Sequence, residues 1–234
     1  MGRILAMASG GYGARPAPRN RAAALCLGLM SAVACPAVAG AQEVTLAALG
    51  DSLTQGYGLP PEDGFVPQLE AWLQARGHDV AITNAGVSGD TTAGGLSRID
   101  WTLTPDVDGL IVALGGNDLL RGIPPEESRA NLDGILSRAD QADVPVLLIG
   151  MTAPGNYGPE FKAAFDAMYP ELAEEYGALY AESFLGALEQ REDRDAAMAS
   201  YMQDDGIHPN ADGVEVIVDS LGPAVEQLIE RAAD

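Results

Sequence analysis

The sequence predicts a single α/β domain: a doubly wound parallel β-sheet with helices on both faces. Three observations predict it. Short apolar runs alternate with longer stretches of helical period, the pattern of a sheet covered on both sides. Gly77, Gly177 and the Pro105 region punctuate the helical stretches where helix stops belong. No repeat, low-complexity tract or interdomain linker interrupts the chain after its leader, and the roughly 190 residues that remain suit one core.

The strand candidates are Val44 to Leu49, Val80 to Asn84, Gly109 to Leu114 and Val144 to Met151, with a fifth from Ala178 to Phe184. Amphipathic stretches lie between and after them: Phe65 to Arg76, Thr91 to Leu103, Glu126 to Ala142, Pro159 to Tyr176, and Asp212 to Ala232. These set the expected order of elements.

The first forty or so residues read differently. Arg3, Arg15, Arg19 and Arg21 precede an apolar run from Ala22 to Val38, followed by the small residues Ala39 and Ala41. This is a secretory signal with a long basic region, and cleavage is expected after Ala41, or alternatively after Ala39. Start sites at Met7 or Met30 are also compatible. The run is short and broken by Pro36, which argues against a retained membrane anchor. The expected domain is therefore 42–234, periplasmic or secreted, with no stable membrane insertion after processing.

Cys26 and Cys35 both fall in the leader, so the mature chain offers no disulfide and no thiol nucleophile. Lipidation at Cys35 is the rival reading; Ala32 stands where a bulky aliphatic belongs, and Pro36 follows. Removing the leader leaves 9 basic against 34 acidic residues, a formal charge of −25. Such a field disfavours nucleic acid and anionic membrane surfaces as partners, and it keeps the protein soluble. Nothing in the sequence calls for an obligate protein partner.

In doubly wound sheets, reactive groups gather beyond the carboxyl ends of the strands. Gly50-Asp51-Ser52 follows the first strand candidate, Gly86-Val87-Ser88-Gly89-Asp90 the second, and Gly115-Gly116-Asn117-Asp118 the third. A serine hydroxyl needs a base near neutral pH, and histidine titrates in that range. His78 lies in a polar turn and reads as a solvated loop residue. His208, in Asp204-Asp205-Gly206-Ile207-His208-Pro209-Asn210, is the remaining candidate.

The second ring nitrogen of such a base needs an acceptor. Asp205, three residues earlier across a glycine turn, can fold back to supply it. Attack on an acyl carbonyl creates an oxyanion, for which the Ser52 amide, the Gly89 amide and the Asn117 side chain are candidate donors. Each has a plainer reading: Ser52 or Asp51 as a helix cap, Gly89 as a turn glycine, Asn117 as a cap after two glycines. Thr54 stands where the second glycine of Gly-x-Ser-x-Gly would be, so this is not that nucleophile elbow. Asp51 reads as an acceptor for loop amides.

Ser52, Gly89, Asn117 and His208 fall in order in four blocks that resemble the SGNH, or GDSL, hydrolases. More narrowly, the chain is similar to the bacterial periplasmic thioesterase I / protease I / lysophospholipase and arylesterase group. The stretches that carry the likeness include Leu49 to Thr54, Asn84 to Thr91, Leu114 to Asp118, Pro154 to Gly158, and Met202 to Asn210. The resemblance implies a flavodoxin-like three-layer fold with strand order 2-1-3-4-5. It implies Ser52 as nucleophile, Asp205 and His208 completing a triad, and Ser52, Gly89 and Asn117 as the oxyanion hole.

It also implies a serine esterase acting without cofactor on small-molecule acyl and aryl esters, with thioesters and lysophospholipids as further substrates. Asp118 to Ile123 resembles a loop that closes on the acyl chain in relatives. Ala153 departs from the bulky aliphatic that some relatives place there, so a shallower or differently shaped acyl groove is expected. Glycan or peptidoglycan O-deacetylation is the alternative within the enzyme class, and a noncatalytic binding module is the alternative outside it. Two distant histidines and no mature cysteine give no metal-ligand cluster.

Overall fold

Five parallel strands lie in the order β2-β1-β3-β4-β5: β1 (Val44–Gly50), β2 (Val80–Gly86), β3 (Gly109–Ala113), β4 (Val146–Ile149) and β5 (Leu179–Ala181). This computed structural model describes residues 43–190 and 193–233. The leader expected over 1–41, its cleavage sites, Cys26 and Cys35 lie outside the described residues. The strand order is the one the resemblance implied.

The strands alternate strictly between two cores, as successive side chains point to opposite faces. Leu46 and Ala48 of β1, Ile111 of β3, and Leu147 and Ile149 of β4 enter one core. Ala47 and Leu49, Leu110 and Val112, and Val146 and Leu148 enter the other. Both faces are covered, so the central strands β3 and β4 read as unbroken apolar runs.

Helices α2 (Phe65–Ala75) and α9 (Ala211–Ala232) close the first face. In α9, Val214, Ile217, Val218, Leu221, Val225, Leu228 and Ile229 fall at helical spacing and are all buried. Helices α3 (Thr92–Thr102), α5 (Pro125–Gln141) and α6 (Pro159–Tyr176) close the second. Among the described residues no helix is long and apolar enough to cross a membrane.

The element boundaries differ from the sequence expectation for identifiable reasons. β4 begins at Val146 because Pro145 has no N–H to give a neighbouring strand. Thr91 is the cap of α3 and lies outside it, its side chain accepting from Gly94 N. Four short helices were not expected: α1 (Ser52–Gln55), α4 (Gly116–Arg121), α7 (Gly186–Glu189) and α8 (Arg194–Tyr201). At one to two turns each, they show no apolar period. His78 is half-buried and hydrogen-bonded to Glu226 at 3.1 Å, which corrects its reading as a solvated loop residue.

Two side-chain devices stabilise the sheet where the backbone alone does not. On edge strand β2, Glu70 of α2 accepts from Ile82 N at 2.7 Å, and Gln74 donates to Val80 O at 3.1 Å. Outward-facing strand groups are thereby satisfied and shielded from pairing with another chain. At the carboxyl rim, Arg98 of α3 donates to Gly50 O at 2.8 Å and Ala85 O at 2.6 Å while pairing with Asp90 at 2.7 Å. One guanidinium thus ties together the ends of the two strands that lead into the candidate site.

Gly50 ends β1 without a side chain because that of Thr54 occupies the space. The Thr54 hydroxyl is buried and has no hydrogen-bond partner among the described residues. An unsatisfied buried hydroxyl costs about 1–3 kcal/mol. Thr54→Val, which keeps the shape and removes the orphan group, is expected to raise stability by an amount within that range. A fall in the denaturation midpoint would contradict this.

Candidate active site

The site is assembled where β1, β2 and β3 end. Asp51 follows β1 and caps α1, its Oδ1 accepting from Leu53 N at 3.0 Å. This places Ser52 in the first position of that short helix. β2 ends in Gly86 directly beneath it: a Cβ there would lie 2.7 Å from the Cα of Gln55 and 2.9 Å from Asp51 O. Only glycine permits this approach.

The base arrives from the other end of the domain. Residues 201–210 form a tight hairpin in which Met202 bridges Pro209, Gln203 N donates to His208 O at 2.8 Å, and Asn210 N donates to Tyr201 O at 2.9 Å. Gly206 takes φ +66° at its tip. Asn210 then caps α9 by accepting from Gly213 N at 2.9 Å.

Within this hairpin Asp205 Oδ2 lies 2.6 Å from His208 Nδ1, and His208 Nε2 lies 2.9 Å from Ser52 Oγ. Asp205 Oδ1 accepts from the amides of Ile207 and His208 at 2.9 and 3.0 Å. The His208 ring first, and then those two amides, hold the Asp205 carboxyl at about 2, below the usual carboxylate range. An ionised acceptor on Nδ1 leaves Nε2 free to take the Ser52 proton. The hydroxyl, imidazole and carboxylate anticipated from sequence are therefore in line.

The candidate oxyanion donors Gly89 and Asn117 line the same cavity as Ser52. Gly89 stands at φ +80° in a turn closed by Asp90 N donating to Val87 O at 3.0 Å. Neither its amide nor that of Ser52 has an acceptor among the described residues. Asn117 lies inside α4, whose cap is Gly115, so its side chain is free of the capping role considered from sequence. Its Nδ2 donates to Asp51 Oδ2 at 3.2 Å, which aims the amide and leaves one N–H available.

Asp51 is accordingly the acceptor the sequence suggested, with a reach it did not reveal. The carboxyl is almost wholly buried, and desolvation pushes its pKa up against the pull of Leu53 N, Asn117 and His208. Two further residues gave no sequence signal. Tyr57 lies against the His208 ring at 4.7 Å between centroids, and Gln203 donates to Tyr57 O at 2.8 Å and Pro209 O at 2.9 Å. Nucleophile turn and base hairpin are thus clipped together.

A cavity of about 770 Å³ opens over these groups. Its apolar lining includes Leu119, Leu120, Met151, Ala153, Pro154, Leu185, Leu188 and Met202. Lys162 and Asp166 of α6 grip the Ala153 backbone, Lys162 Nζ donating to its carbonyl at 2.6 Å and Asp166 accepting from its amide at 2.8 Å. Size and apolar lining suit a small-molecule substrate with one polar, reactive end.

A hydroxyl activated by a carboxylate-oriented imidazole, on the rim of a 2-1-3-4-5 sheet, defines a serine ester hydrolase of the α/β class. The chain belongs to the GDSL-like Lipase/Acylhydrolase family, which matches residues 48–216. It is 34% identical over 208 residues to Esterase TesA of Pseudomonas aeruginosa, spanning 88% of this chain and 99% of that one. It is 34% identical over 188 residues to thioesterase 1/protease 1/lysophospholipase L1 of Escherichia coli K12, spanning 80% and 86%. Among solved structures, AlinE4, an SGNH-hydrolase family esterase, is 44% identical with a TM-score of 0.64, over 80% of this chain and 96% of that one.

A carboxyl whose folded pKa is depressed contributes stability that is complete above the ordinary carboxylate range and is lost as pH falls through the folded value. For Asp205 that window runs from the ordinary value of 3.8 down to about 2. The stability difference between the native chain and Asp205→Asn is therefore expected to hold constant at higher pH and to close on acidification through this window. Thermal midpoints measured across it check the sign; a difference that widened would contradict it.

Proposed function

We propose that Ser52 attacks the acyl carbonyl of a carboxylic ester while His208, oriented by Asp205, takes the hydroxyl proton and delivers it to the departing alcohol. The acyl-Ser52 intermediate is then hydrolysed by water that His208 activates in the same way. The Ser52 and Gly89 amides and the Asn117 side chain hold the oxyanion in both halves of the cycle. The observation that carries this reading is the unbroken Asp205–His208–Ser52 series opening into an apolar cavity.

Thioesters and lysophospholipids extend the substrate range, in line with the name of the Escherichia coli relative. Residues 1–41 act as the export signal and 42–234 as the mature domain, which places the enzyme in the periplasm or outside the cell. A cavity of about 770 Å³ with a largely apolar lining has more room than an acetyl group fills, which favours longer acyl groups over glycan O-acetyl esters. Ala153 is buried with its backbone fixed, so the groove takes its shape from Leu119, Leu120 and Met151 around it.

Ser52→Ala is expected to abolish turnover of p-nitrophenyl butyrate with the circular dichroism spectrum unchanged; hydrolysis at the native rate would overturn the assignment. On a series of p-nitrophenyl esters, kcat/KM is expected to rise from acetyl to butyryl and hexanoyl. Acyl-CoA turnover, disfavoured by the mature charge of −25, is expected to rise with ionic strength as that repulsion is screened. A salt-independent rate with acyl-CoA would remove the electrostatic argument.

A further inference from the structure

Among the described residues Arg76, Arg98, Arg129, Arg138 and Lys162 pair with carboxylates. Two exposed guanidinium groups bond a backbone carbonyl instead. Arg231 donates to Gly177 O at 2.7 Å, at the end of α6 and away from the site. Arg121, on the surface at the end of α4, donates through Nη2 to Gly89 O at 2.7 Å, and Gly89 lines the candidate site.

The candidate oxyanion donors come from three separate segments: the start of α1, the β2–α3 loop and α4. Asp51 binds the first to the third through Leu53 N and Asn117 Nδ2. The Gly89 loop is tied to α1 through Ser88 Oγ, which donates to Gln55 Oε1 at 2.7 Å. Its link to α4 is Arg121. Asn117 and Arg121 stand four residues apart, on one face of α4. The same turn of helix thus presents one donor and grips the peptide that follows the other.

Gly89 is the residue least able to hold that peptide unaided, because glycine is the least restricted residue and its φ is +80°. α4 is itself anchored at its far end, where Gly122 at φ +64° packs so closely on Tyr157 that a Cβ would lie 3.1 Å from the ring. We infer that Arg121 is a positioning residue for the oxyanion hole: it holds the Gly89 peptide at a fixed distance from Asn117, so that both donors meet the same developing charge. This rests on the proposed reading of Ser52, Gly89 and Asn117.

Arg121→Met keeps the apolar stem of the side chain, and Arg121→Lys keeps a single charged donor. With p-nitrophenyl butyrate, kcat of Arg121→Met is expected to fall about 10- to 100-fold with KM changed less than about two-fold, since a misplaced donor weakens the transition state and spares substrate binding. Inactivation by a p-nitrophenyl alkylphosphonate, whose adduct carries the tetrahedral oxygen, is expected to slow in parallel, the thermal midpoint to stay unchanged, and Arg121→Lys to recover part of the loss. Unaltered kcat in Arg121→Met overturns the inference, as does a loss confined to KM or a lysine variant no better than methionine. Ser52→Ala separates the two levels. Turnover surviving in Ser52→Ala fails the underlying reading, whereas an inactive Ser52→Ala beside an unimpaired Arg121→Met fails the positioning role alone.

Discussion

The carboxylate of Asp51 is the interaction on which the site depends. It lies between the nucleophile turn and the loop that brings Asn117, and each of its oxygens takes one donor, Leu53 N on Oδ1 and Asn117 Nδ2 on Oδ2. An amide at this position would present a donor to one of two donors, so the carboxylate is the side chain that fits both. Burial raises its pKa, and a raised carboxyl pKa means the folded state loses stability as pH rises through the shifted value. The fold therefore carries a cost at neutral pH in order to fix the direction of one side-chain amide.

A second buried carboxylate completes the arrangement beside it. Asp118, wholly inaccessible, accepts from Thr92 N at 2.9 Å, Thr92 Oγ1 at 2.5 Å and Ser128 Oγ at 3.0 Å. It ties the starts of α3 and α5 to α4, the helix that carries Asn117. Hydrogen bonds to charged groups contribute on the order of 1.5–3 kcal/mol each, and their loss leaves an uncompensated buried charge. With the Arg98 clamp on Gly50 and Ala85, the rim is held by acidic and basic side chains bonded to backbone and side chains alike, while apolar packing holds the two faces below.

The sheet was legible because a core on each face makes both sides of its central strands apolar, so that residues such as Leu46 to Leu49 and Leu110 to Val112 read as short apolar runs. The proposed triad could be named from sequence for a different reason: the expected mature chain has two histidines and no cysteine, which leaves few candidates, and Asp205 lies close to His208 in sequence. What stayed hidden depends on contacts between segments far apart. The bond from Asp51 to Asn117 spans 66 positions and that from Arg121 to Gly89 spans 32, and neither leaves a local period or composition. The helical form of Gly116–Arg121 was hidden because Gly115-Gly116 reads as a turn, and only the packing of Gly122 on Tyr157 and the Asp118 network favour one turn of helix there. His78 was misread because its partner, Glu226, lies on α9.

Ser52 and His208, the proposed nucleophile and base, stand 156 positions apart, so their 2.9 Å contact forms only when the two segments are docked. The docking is redundant. Gln203 bonds the carbonyls of both Tyr57 and Pro209, while the Tyr57 ring lies against the imidazole whose edge faces Ser52. In the proposed reaction that imidazole becomes a cation during acyl transfer, and an aromatic ring beside a cation is attractive. The Tyr57 ring is placed to meet that transient charge through the same contact that keeps the hairpin in place. A contact of this kind strengthens at the moment charge develops, which is the condition for an interaction to lower a barrier instead of merely tightening substrate binding.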